Sequence, residues 1–544
     1  MSPNASPTRA PWWQRDVVYQ IYPRSFQDAD GDGVGDLRGA TQRLEYLASL
    51  GVGAVWVSPF YPSPMADFGY DVSDYKGVDP VFGSLEDFDA FAEQARSLGL
   101  TIVLDFVPNH SSDQHAWFVA SRSSKASEKR DFYVWADPKP DGSPPNNWLS
   151  VFGGPAWTLD PTTGQYYLHS FLKEQPDLNW RNPRVKAEML DVLRFWLDRG
   201  VDGFRLDAVL FAMKDPLLRD NPPNPSPTGA MHKPMGAFDA LLHVNSQNHP
   251  DVHELFREMR AFVDGHDRGR HRALIGEMHI FDAKAWATYY GADLDELHLP
   301  FNFGLLKTPW QAEAVRTLVE GVEAALPPGA FPNYVLGNHD EGRIASRLGP
   351  ERARVAMMLL LTLRGTPTLY YGDELGLRDV PIPAGREQDP WGKREPGLGR
   401  DPARTPMRWN ASPNAGFCPE GVEPWLPIGT EDPGADVETQ TRDARSMLAL
   451  TRALLKLRAS AEALGVGHYH TVPGCPEGCF VYERSLGDER FLVALNFTSD
   501  LCSLVLPAGA RLLLSTRLDL DEGKGAAESP FALRGDEGCL FRLG

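Results

Sequence analysis

Short apolar segments alternate with helical patterns along most of this chain, and this alternation restricts the folds open to it. Each segment has the length of one buried strand, and the stretches between them carry the apolar spacing of amphipathic helices. The predicted strands begin at Val17, Val52, Thr101, Gly203, Ala273, Leu297, Tyr334 and Thr368. Eight strands joined by helices are typical of an α/β protein, the (β/α)₈ TIM barrel, which carries its chemistry at the carboxyl ends of the strands.

Two regions depart from this alternation. Residues 111–182 are rich in Gly, Pro, Asn and aromatic residues, which indicates a subdomain inserted after the third strand. After residue 463 the pattern changes to short alternating runs, which favour a C-terminal antiparallel β-sandwich. The sequence therefore predicts a barrel formed by residues 11–110 and 183–462, an inserted subdomain at 111–182 and a β domain at 463–544.

The charge balance argues against several classes of partner. Asp and Glu number 73 against 54 Lys and Arg, which gives a formal net charge of -19. Such a chain repels phosphate backbones and anionic membranes, so nucleic acid and membrane partners are not expected. Residues 1–10 contain no apolar segment, and nowhere do about 18 apolar residues run together. A cytoplasmic monomer or small homo-oligomer is the expectation.

The five cysteines lie in the last quarter of the chain. Their odd number and the expected location make reduced thiols the default. Cys475 and Cys479 have a spacing that could suit a metal, but no second Cys or His pair follows closely, which disfavours a metal site.

An acidic turn follows the first predicted strand. In Asp28–Asp36, carboxylates occupy loop positions 1, 3, 5 and 9, and glycine occupies position 6. Those offsets match the start of a calcium loop, in which alternate oxygens converge on a hard cation. Position 12 is Gly39 instead of the bidentate Glu of an EF-hand. The turn is therefore not an EF-hand. It still predicts a cation site, because four carboxylates repel one another without a counter-ion.

Charged side chains cluster at the predicted strand ends. Arg205 and Asp207 are two residues apart, so both point to one face of a strand. Alone, they could form a structural ion pair. Other strand ends add Glu277, Asp340, His110 and His339. Buried charges are costly, so their convergence at one rim favours function. Several carboxylates without zinc-ligand spacing fit glycoside chemistry, in which one attacks the sugar and another transfers a proton.

Six motifs resemble the α-amylase family, glycoside hydrolase family 13. They are Gly69–Val72, Asp105–His110, Gly203–Asp207, Ile275–Glu277, Gly337–Asp340 and Gly365–Glu374. They occur in the family's order and span nearly the whole chain. Gln175–Asn179 further resembles the signature of the α-glucosidase and oligo-1,6-glucosidase branch.

The resemblance implies a retaining mechanism in two displacement steps. Asp207 would be the nucleophile, kept anionic by Arg205, and Glu277 would be the acid and base, with a raised pKa. Asp340 would stabilise the transition state. Tyr70 would stack beneath the first glucose, and Asp71 would hold its non-reducing end in a pair with Arg400 or, less favoured, Arg404. The remaining substrate-binding residues are predicted to be His110, Phe171, Arg205 and His339.

The resemblance also implies one structural cation, Ca²⁺ or Mg²⁺, and no organic cofactor. Its ligands would be the side chains of Asp28, Asp30, Asp32 and Asp36 and the carbonyl of Val34. An arginine–aspartate pair closing the pocket implies exo action on small α-glucosides. Ala208, next to the presumed nucleophile, favours α-1,4 substrates such as maltose, and sucrose is a further candidate. A transglucosylase, a sugar isomerase and an oligo-1,6-glucosidase remain alternatives, whereas intact carboxylates disfavour a non-catalytic sugar-binding relative.

Overall fold

A closed barrel of parallel strands forms the centre of the molecule. The structure, a computed structural model, describes residues 10–226, 234–266, 269–394, 397–430, 432–519 and 527–544. Residues 1–9, which entered the prediction of a cytoplasmic location, lie outside those ranges. The eight barrel strands are Val18–Ile21, Ala54–Val57, Thr101–Phe106, Gly203–Leu206, Ala273–Gly276, Leu299–Asn302, Asn333–Val335 and Thr366–Tyr370. The predicted TIM barrel is confirmed.

Five of the strands are displaced from the predicted starts by one or two residues, and of these Val18–Ile21 and Ala54–Val57 begin later than expected. Leu299–Asn302 begins later than expected, whereas Asn333–Val335 and Thr366–Tyr370 begin earlier. The earlier starts are polar residues that an apolar pattern does not mark. Asn333 Nδ2 donates to the Thr366 carbonyl across 3.0 Å, so the amide nitrogen of this polar side chain has a partner inside the barrel.

Strand register brings the charged residues to one rim. Asp105 of the third strand is paired with Arg205 of the fourth, and Arg205 is paired with Ile275 of the fifth. Val103 and Ile275 belong to the apolar cluster inside the barrel. Because strand side chains alternate, Asp105 points inward like Val103, two residues before it. The barrel interior is therefore apolar toward the amino ends of the strands and charged at the rim formed by their carboxyl ends.

Helices with capped ends surround the barrel. Leu85–Ser97 begins with a capping box between Ser84 and Asp87, and Pro183–Asp198 begins with proline at its first position. The helix Met447–Ser460 begins where Ser446 caps it by accepting from the Ala449 N–H. Other helices of five or more residues are Leu37–Gln42, Leu44–Leu50, Ala116–Arg122, Val252–Asp264, Ala283–Ala287, Ala312–Ala325, Ile344–Leu348, Pro350–Thr362, Pro390–Arg394 and Val437–Arg442. No helix among the described residues has the length and apolar character needed to cross a membrane.

A small antiparallel sheet follows the third barrel strand, in the region predicted to be an insertion. Its strands, in spatial order, are Trp135–Ala136, Gln165–Leu168 and Trp157–Asp160. Isolated bridges join His110 to Asp177 and Tyr133 to Leu178. The first bridge ties the returning chain to the segment that directly follows the third barrel strand. The predicted domain boundaries at 111 and 182 stay predictions.

The C-terminal region consists of two antiparallel sheets, in agreement with the predicted β domain. The larger sheet has the order His468–Thr471, Cys479–Leu486, Glu489–Asn496, Gly538–Arg542 and Arg511–Ser515. The smaller sheet pairs Cys502–Leu504 with Phe531–Leu533. A buried apolar cluster that includes Val481, Leu504 and Phe541 draws on both sheets.

Candidate active site

The guanidinium of Arg205 organises the acidic residues at the rim. It is fully buried, and its Nη1 lies 2.7 Å from Asp105 Oδ1 and 2.7 Å from Asp207 Oδ1. Its Nη2 lies 2.9 Å from Glu277 Oε2. Asp207 follows the fourth strand and Glu277 follows the fifth, so adjacent strand ends present both carboxyl groups to one cation. Both carboxyl groups retain some exposure toward the pocket, whereas Asp105 is buried beneath them.

The charge distribution in this cluster differs from the expectation. Burial raises the pKa of Asp207 well above its usual value, and the Glu277 and Asp105 carboxylates add to the rise despite the attraction of Arg205. Burial also acts on Glu277, but Arg205 and His279 outweigh it and lower the pKa of Glu277 to about 2. In the site without substrate, these directions are the reverse of the expectation, which gave a raised pKa to Glu277 and an anionic form to Asp207. The physical reason is that Arg205 contacts Glu277 as well as Asp207, so the acidic groups share one cation and titrate together.

Asp340 lies at the end of the seventh strand between two arginines. Its Oδ1 accepts from Arg400 Nη1 and from Arg404 Nη2, each at 2.9 Å. The carboxyl group of Asp340 keeps 22% of its surface exposed. Two cations on one carboxylate oxygen favour the charged form of Asp340. The other oxygen lies 3.4 Å from His339 Nε2.

Two neutral histidines, His110 and His339, and Tyr70 provide polar side chains to the same pocket. The Tyr70 ring is stacked on His339, with ring centroids 5.3 Å apart and an interplanar angle of 2°. The Tyr70 hydroxyl lies 2.7 Å from His339 Nε2. Burial lowers the pKa of His339 to about 3 and that of His110 to about 4. Both imidazoles are therefore neutral near pH 7 and available as hydrogen-bonding groups.

The prediction that Asp71 pairs with Arg400 or Arg404 is wrong. The Asp71 carboxylate accepts from Ser63 Oγ and from the backbone N–H groups of Ala66 and Asp67 at 2.8 to 2.9 Å. These bonds close a turn and leave Asp71 fully buried. Arg400 Nη2 instead lies 2.9 Å from Asp67 Oδ1, four residues earlier in the same turn.

Arg400 joins three carboxylates at the wall of the pocket. Besides Asp67 and Asp340, it contacts Asp389 through Nε at 2.9 Å and Nη2 at 2.7 Å. Burial raises the pKa of Asp67 to about 6, although Arg400 opposes the rise. Gln175, from the motif that resembles the α-glucosidase branch, donates to Asp67 Oδ2 across 3.1 Å. The arginine thus links the 63–71 turn to the segment that follows the last barrel strand.

One cavity connects these groups. Its volume is about 740 Å³ including the open mouth. Of the predicted site residues, it is lined by Tyr70, His110, Phe171, Asp207, Glu277, His339, Asp340 and Arg400. Arg205 lies beneath the cavity and Asp71 lies behind its wall. Part of the cavity lining is apolar, and Phe152, Phe211, Met235 and Trp391 of this lining belong to one apolar cluster.

Comparison with known proteins decides the family. Residues 20–467 match the model described as the α-amylase catalytic domain, which is well over half of the chain. The chain belongs to the α-amylase family. A probable α-glucosidase of Rhizobium meliloti (strain 1021) is 42% identical over 514 residues, which cover 91% of this chain and 91% of that protein. An oligo-1,6-glucosidase of Heyndrickxia coagulans is 37% identical over 537 residues, covering 91% and 94% of the two chains.

Solved structures agree with this assignment. The crystal structure of an α-glucosyl transfer enzyme, XgtA, superposes with a TM-score of 0.91 at 40% identity, covering 98% of this chain and 100% of the other. Membership of the α-amylase family, together with the α-glucosidase relatives, makes the chain a glycoside hydrolase.

The sequence did not mark every residue of this α-amylase-family pocket. Asp67 could have been recognised, because it is a second aspartate in the turn that contains the predicted Tyr70. His279 could also have been found, since it lies two residues after Glu277 and its Nε2 lies 3.1 Å from Glu277 Oε1. Asp389, Phe152 and Met235 gave no signal, because they lie on irregular segments without periodicity, and Trp391 lies in a helix of only five residues, Pro390–Arg394.

The backbone beside the presumed nucleophile is unusual. Ala208 has φ 44°, in the left-handed region that favours glycine. This conformation directs the Ala208 N–H to Glu277 Oε2, which accepts it across 2.8 Å. The methyl group of Ala208 lies at the wall of the cavity, where it limits the space next to Asp207.

Away from the pocket, the acidic turn brings three of its carboxylates together. Ligand oxygens of Asp28, Asp30 and Asp36 lie within 4.8 Å of one another, whereas Asp32 is not in this group. Asp28 accepts from the N–H groups of Gly31 and Gly33 at 2.6 and 2.9 Å. Gly33 has φ +90°, and a Cβ there would lie 2.2 Å from the Glu423 carbonyl, so this tight packing requires glycine.

Proposed function

We propose that this glycoside hydrolase is an exo-acting, retaining α-glucosidase that releases glucose from the non-reducing end of short α-glucosides. The observation that carries the proposal is the buried Asp67–Arg400 pair, 2.9 Å apart, in the wall of the pocket that holds the carboxylates. A pocket closed by such a pair accepts one terminal glucose and prevents a longer chain from passing through. The charged groups of the pair are suited to hydrogen bonds with sugar hydroxyls.

The mechanism assigns one role to each carboxylate. Asp207 attacks the anomeric carbon while Glu277 gives its proton to the departing glycosidic oxygen. A water molecule then gives a proton to Glu277 and attacks the glucosyl–Asp207 ester, which releases glucose with its original configuration. Asp340 stabilises the positive charge that develops on the sugar ring. A bound sugar excludes water from Glu277, which raises the pKa of its carboxyl group toward the value that an acid requires.

Replacement of the nucleophile tests this mechanism. Asp207→Asn removes the attacking oxygen's charge, so we expect kcat on p-nitrophenyl α-glucoside to fall by at least about 10⁴-fold. Asp202→Asn is the matched control, because Asp202 is a buried carboxylate at the other end of the same strand, paired with Arg270 and Arg272. Asp202→Asn should lower stability and keep turnover at permissive temperature. Near-wild-type hydrolysis by Asp207→Asn would refute the assignment.

Linkage preference belongs to the same proposal. The small side chain of Ala208 beside Asp207 supports α-1,4 substrates such as maltose, although a few methyl groups discriminate by only about 1–3 kcal/mol. Initial rates on maltose, isomaltose, sucrose and trehalose would rank the linkages directly. A kcat/KM on isomaltose that exceeds the value on maltose would assign the chain to oligo-1,6-glucosidase activity instead.

Transfer of glucose to a second sugar or alcohol is the competing function. The apolar lining formed by Phe152, Phe211, Met235 and Trp391 supports it, because such a surface binds the carbon face of an acceptor and displaces water. The similarity to a glucosyl transfer enzyme points the same way. Product analysis at high sugar concentration distinguishes the two: free glucose alone indicates hydrolysis, and new disaccharides indicate transfer or isomerisation.

A divalent cation, Ca²⁺ or Mg²⁺, completes the proposal. Three convergent carboxylates, Asp28, Asp30 and Asp36, are the oxygen donors that both cations prefer. Their mutual repulsion would be relieved by a cation between them. The turn is distant in sequence from the catalytic groups, so the role proposed for the cation is structural. The cytoplasmic location and the state of a monomer or small homo-oligomer are likewise proposed from the sequence.

A further inference from the structure

Two cysteine sulfurs face each other inside the C-terminal domain. Cys479 begins a strand of the larger sheet, and Cys502 begins a strand of the smaller sheet. Their Sγ atoms are 2.7 Å apart, although the residues are 23 positions apart in the sequence. A disulfide bond is about 2.05 Å long, so a small movement brings the sulfurs to bonding distance.

Backbone contacts hold both cysteines in this position. Cys479 is paired with Asn496 in the larger sheet, and the Asn496 side-chain amide donates to the Asp500 carbonyl across 2.7 Å. Cys502 is paired with Leu533 in the smaller sheet. The turn between the two sheets is thus fixed at both ends, and the approach of the sulfurs follows from the fold rather than from a flexible segment.

The surroundings suit a structural bond more than a reactive thiol. Cys479 and Cys502 are buried, with 6% and 8% of their surfaces exposed, in the apolar cluster between the sheets. Burial raises the pKa of Cys479, and the nearby Cys502 thiol adds to the rise. A third thiol, Cys475, is half-buried, and its Sγ donates to the Val472 carbonyl. The spacing between Cys475 and Cys479 therefore does not by itself identify the bonding pair.

We propose that Cys479 and Cys502 form a reversible disulfide that ties the two sheets of the C-terminal domain together. With hydrogen peroxide as the oxidant, one thiolate attacks a peroxide oxygen, forms a sulfenic acid and releases hydroxide. The second thiol displaces the sulfenic oxygen as water and forms the S–S bond. The two thiol hydrogens end in two water molecules, and a dithiol reductant reverses the oxidation. The site is independent of the glucosidase proposal, because it lies in a different domain from the pocket.

Thiol counting and peptide mapping test this assignment on the full-length reduced protein. After oxidation with hydrogen peroxide and alkylation with N-ethylmaleimide, we expect two of the five thiols to be unavailable and both to be recovered with dithiothreitol. Trypsin leaves Cys475 and Cys479 in one peptide, but Glu477 lies between them. A glutamate-specific protease therefore separates the two candidates, and the linked mass should contain Cys479 and Cys502.

Stability and variants give a second readout. Closure of this loop restricts the unfolded chain, so the oxidised protein should have a Tm about 2–5 °C higher than the reduced protein. Cys479→Ala and Cys502→Ala should each keep four free thiols after oxidation and lose the Tm increase. Cys539→Ala, at another buried position of the same domain, and Cys418→Ala, in the barrel, should still form the bond.

Five thiols remaining in the oxidised wild type, or a linked peptide containing Cys475, would overturn the proposal. Hydrolysis of p-nitrophenyl α-glucoside, measured in parallel, reports separately on the proposed activity.

Discussion

Asp67 and Asp71 are buried in the same turn, but they have different partners. Asp71 accepts hydrogen bonds from backbone N–H groups, whereas Asp67 forms an ion pair with the Arg400 guanidinium. The family resemblance predicted that Asp71 pairs with Arg400 or Arg404, whereas Arg400 pairs with Asp67. The sequence could not reveal the exchange, because the hydrogen bonds of the turn depend on its three-dimensional course.

Neutralising Asp67 should weaken substrate binding. Asp67→Asn keeps the shape but removes the charge that pairs with Arg400 and that would meet a sugar hydroxyl. We expect kcat/KM for maltose to fall on the order of 100-fold, the effect of losing about 3 kcal/mol of charge-assisted hydrogen bonding. Asp71→Asn is the matched control, and it should lower Tm while KM stays close to the wild-type value. Equal losses of kcat/KM in both variants would contradict the separate roles.

His298, which lies outside the pocket, should make the stability of the folded protein depend on pH. His298 has a side chain 2% exposed, its Nδ1 accepts from the Leu274 N–H, and its Nε2 lies 3.5 Å from Asp264. Burial lowers its pKa from 6.5 to about 4, although Asp264 opposes this. In the unfolded chain, the His298 imidazole therefore gains a proton as the pH falls below about 6.5. In the folded chain, the same imidazole stays neutral until the pH reaches about 4. His298 thus costs about 2 kcal/mol of stability between pH 7 and pH 5.

Removal of this imidazole should flatten the pH dependence of stability. In His298→Asn, the loss of unfolding free energy between pH 7 and pH 5 should be smaller than in the wild type by about 2 kcal/mol. Urea unfolding at the two pH values measures the difference, and His470→Asn, at an exposed position, is the control. An unchanged pH dependence in His298→Asn would show that this histidine does not titrate as its burial implies.

At the scale of elements, periodicity was a reliable guide where an element is uniformly buried on one face. The starts of the eight barrel strands were predicted within two residues, because their apolar spacing reflects packing against a single core. The segment after the last barrel strand, which carries Asp389, Arg400 and Arg404, is mostly irregular. Its course is set by contacts with residues far away in the sequence, so periodicity contains no information about it.

The acidic turn is the element whose stability should depend on a cation. If a divalent cation lies between Asp28, Asp30 and Asp36, EDTA should lower Tm, and added Ca²⁺ or Mg²⁺ should restore it. Asp30→Asn should reduce the effect of EDTA, because Asp30 belongs to the convergent group. Asp32→Asn alters a neighbouring carboxylate outside that group, so this variant should retain more of the EDTA effect on Tm. A Tm that is insensitive to EDTA in the wild type would refute a bound structural cation.

At the scale of the whole molecule, one buried arginine connects the C-terminal domain to a barrel helix. Arg484 extends from the larger sheet and donates to the carbonyls of Thr362, Leu464 and Gly467 at 2.6 to 3.0 Å. Thr362 ends the helix Pro350–Thr362, so the cation lies at the negative end of a helix dipole. The sequence predicted a C-terminal β domain but not this contact, because an arginine in a strand gives no indication of its partner.

Loss of Arg484 should loosen the junction between the two domains. Burial and repulsion by Arg458 lower the pKa of Arg484 to about 9, which still leaves it charged near pH 7 and bound to backbone carbonyls. Arg484→Met fills similar space but leaves those buried carbonyls without donors, so we expect a loss on the order of 3 kcal/mol. Arg490→Met is the control on the next strand, where the exposed pair with Glu483 contributes less than about 1 kcal/mol. Calorimetry should show a lower and broader transition for Arg484→Met alone, because the C-terminal domain then unfolds before the barrel. Equal Tm values for the two variants would mean that the apolar contacts of the interface, and not this arginine, couple the domains.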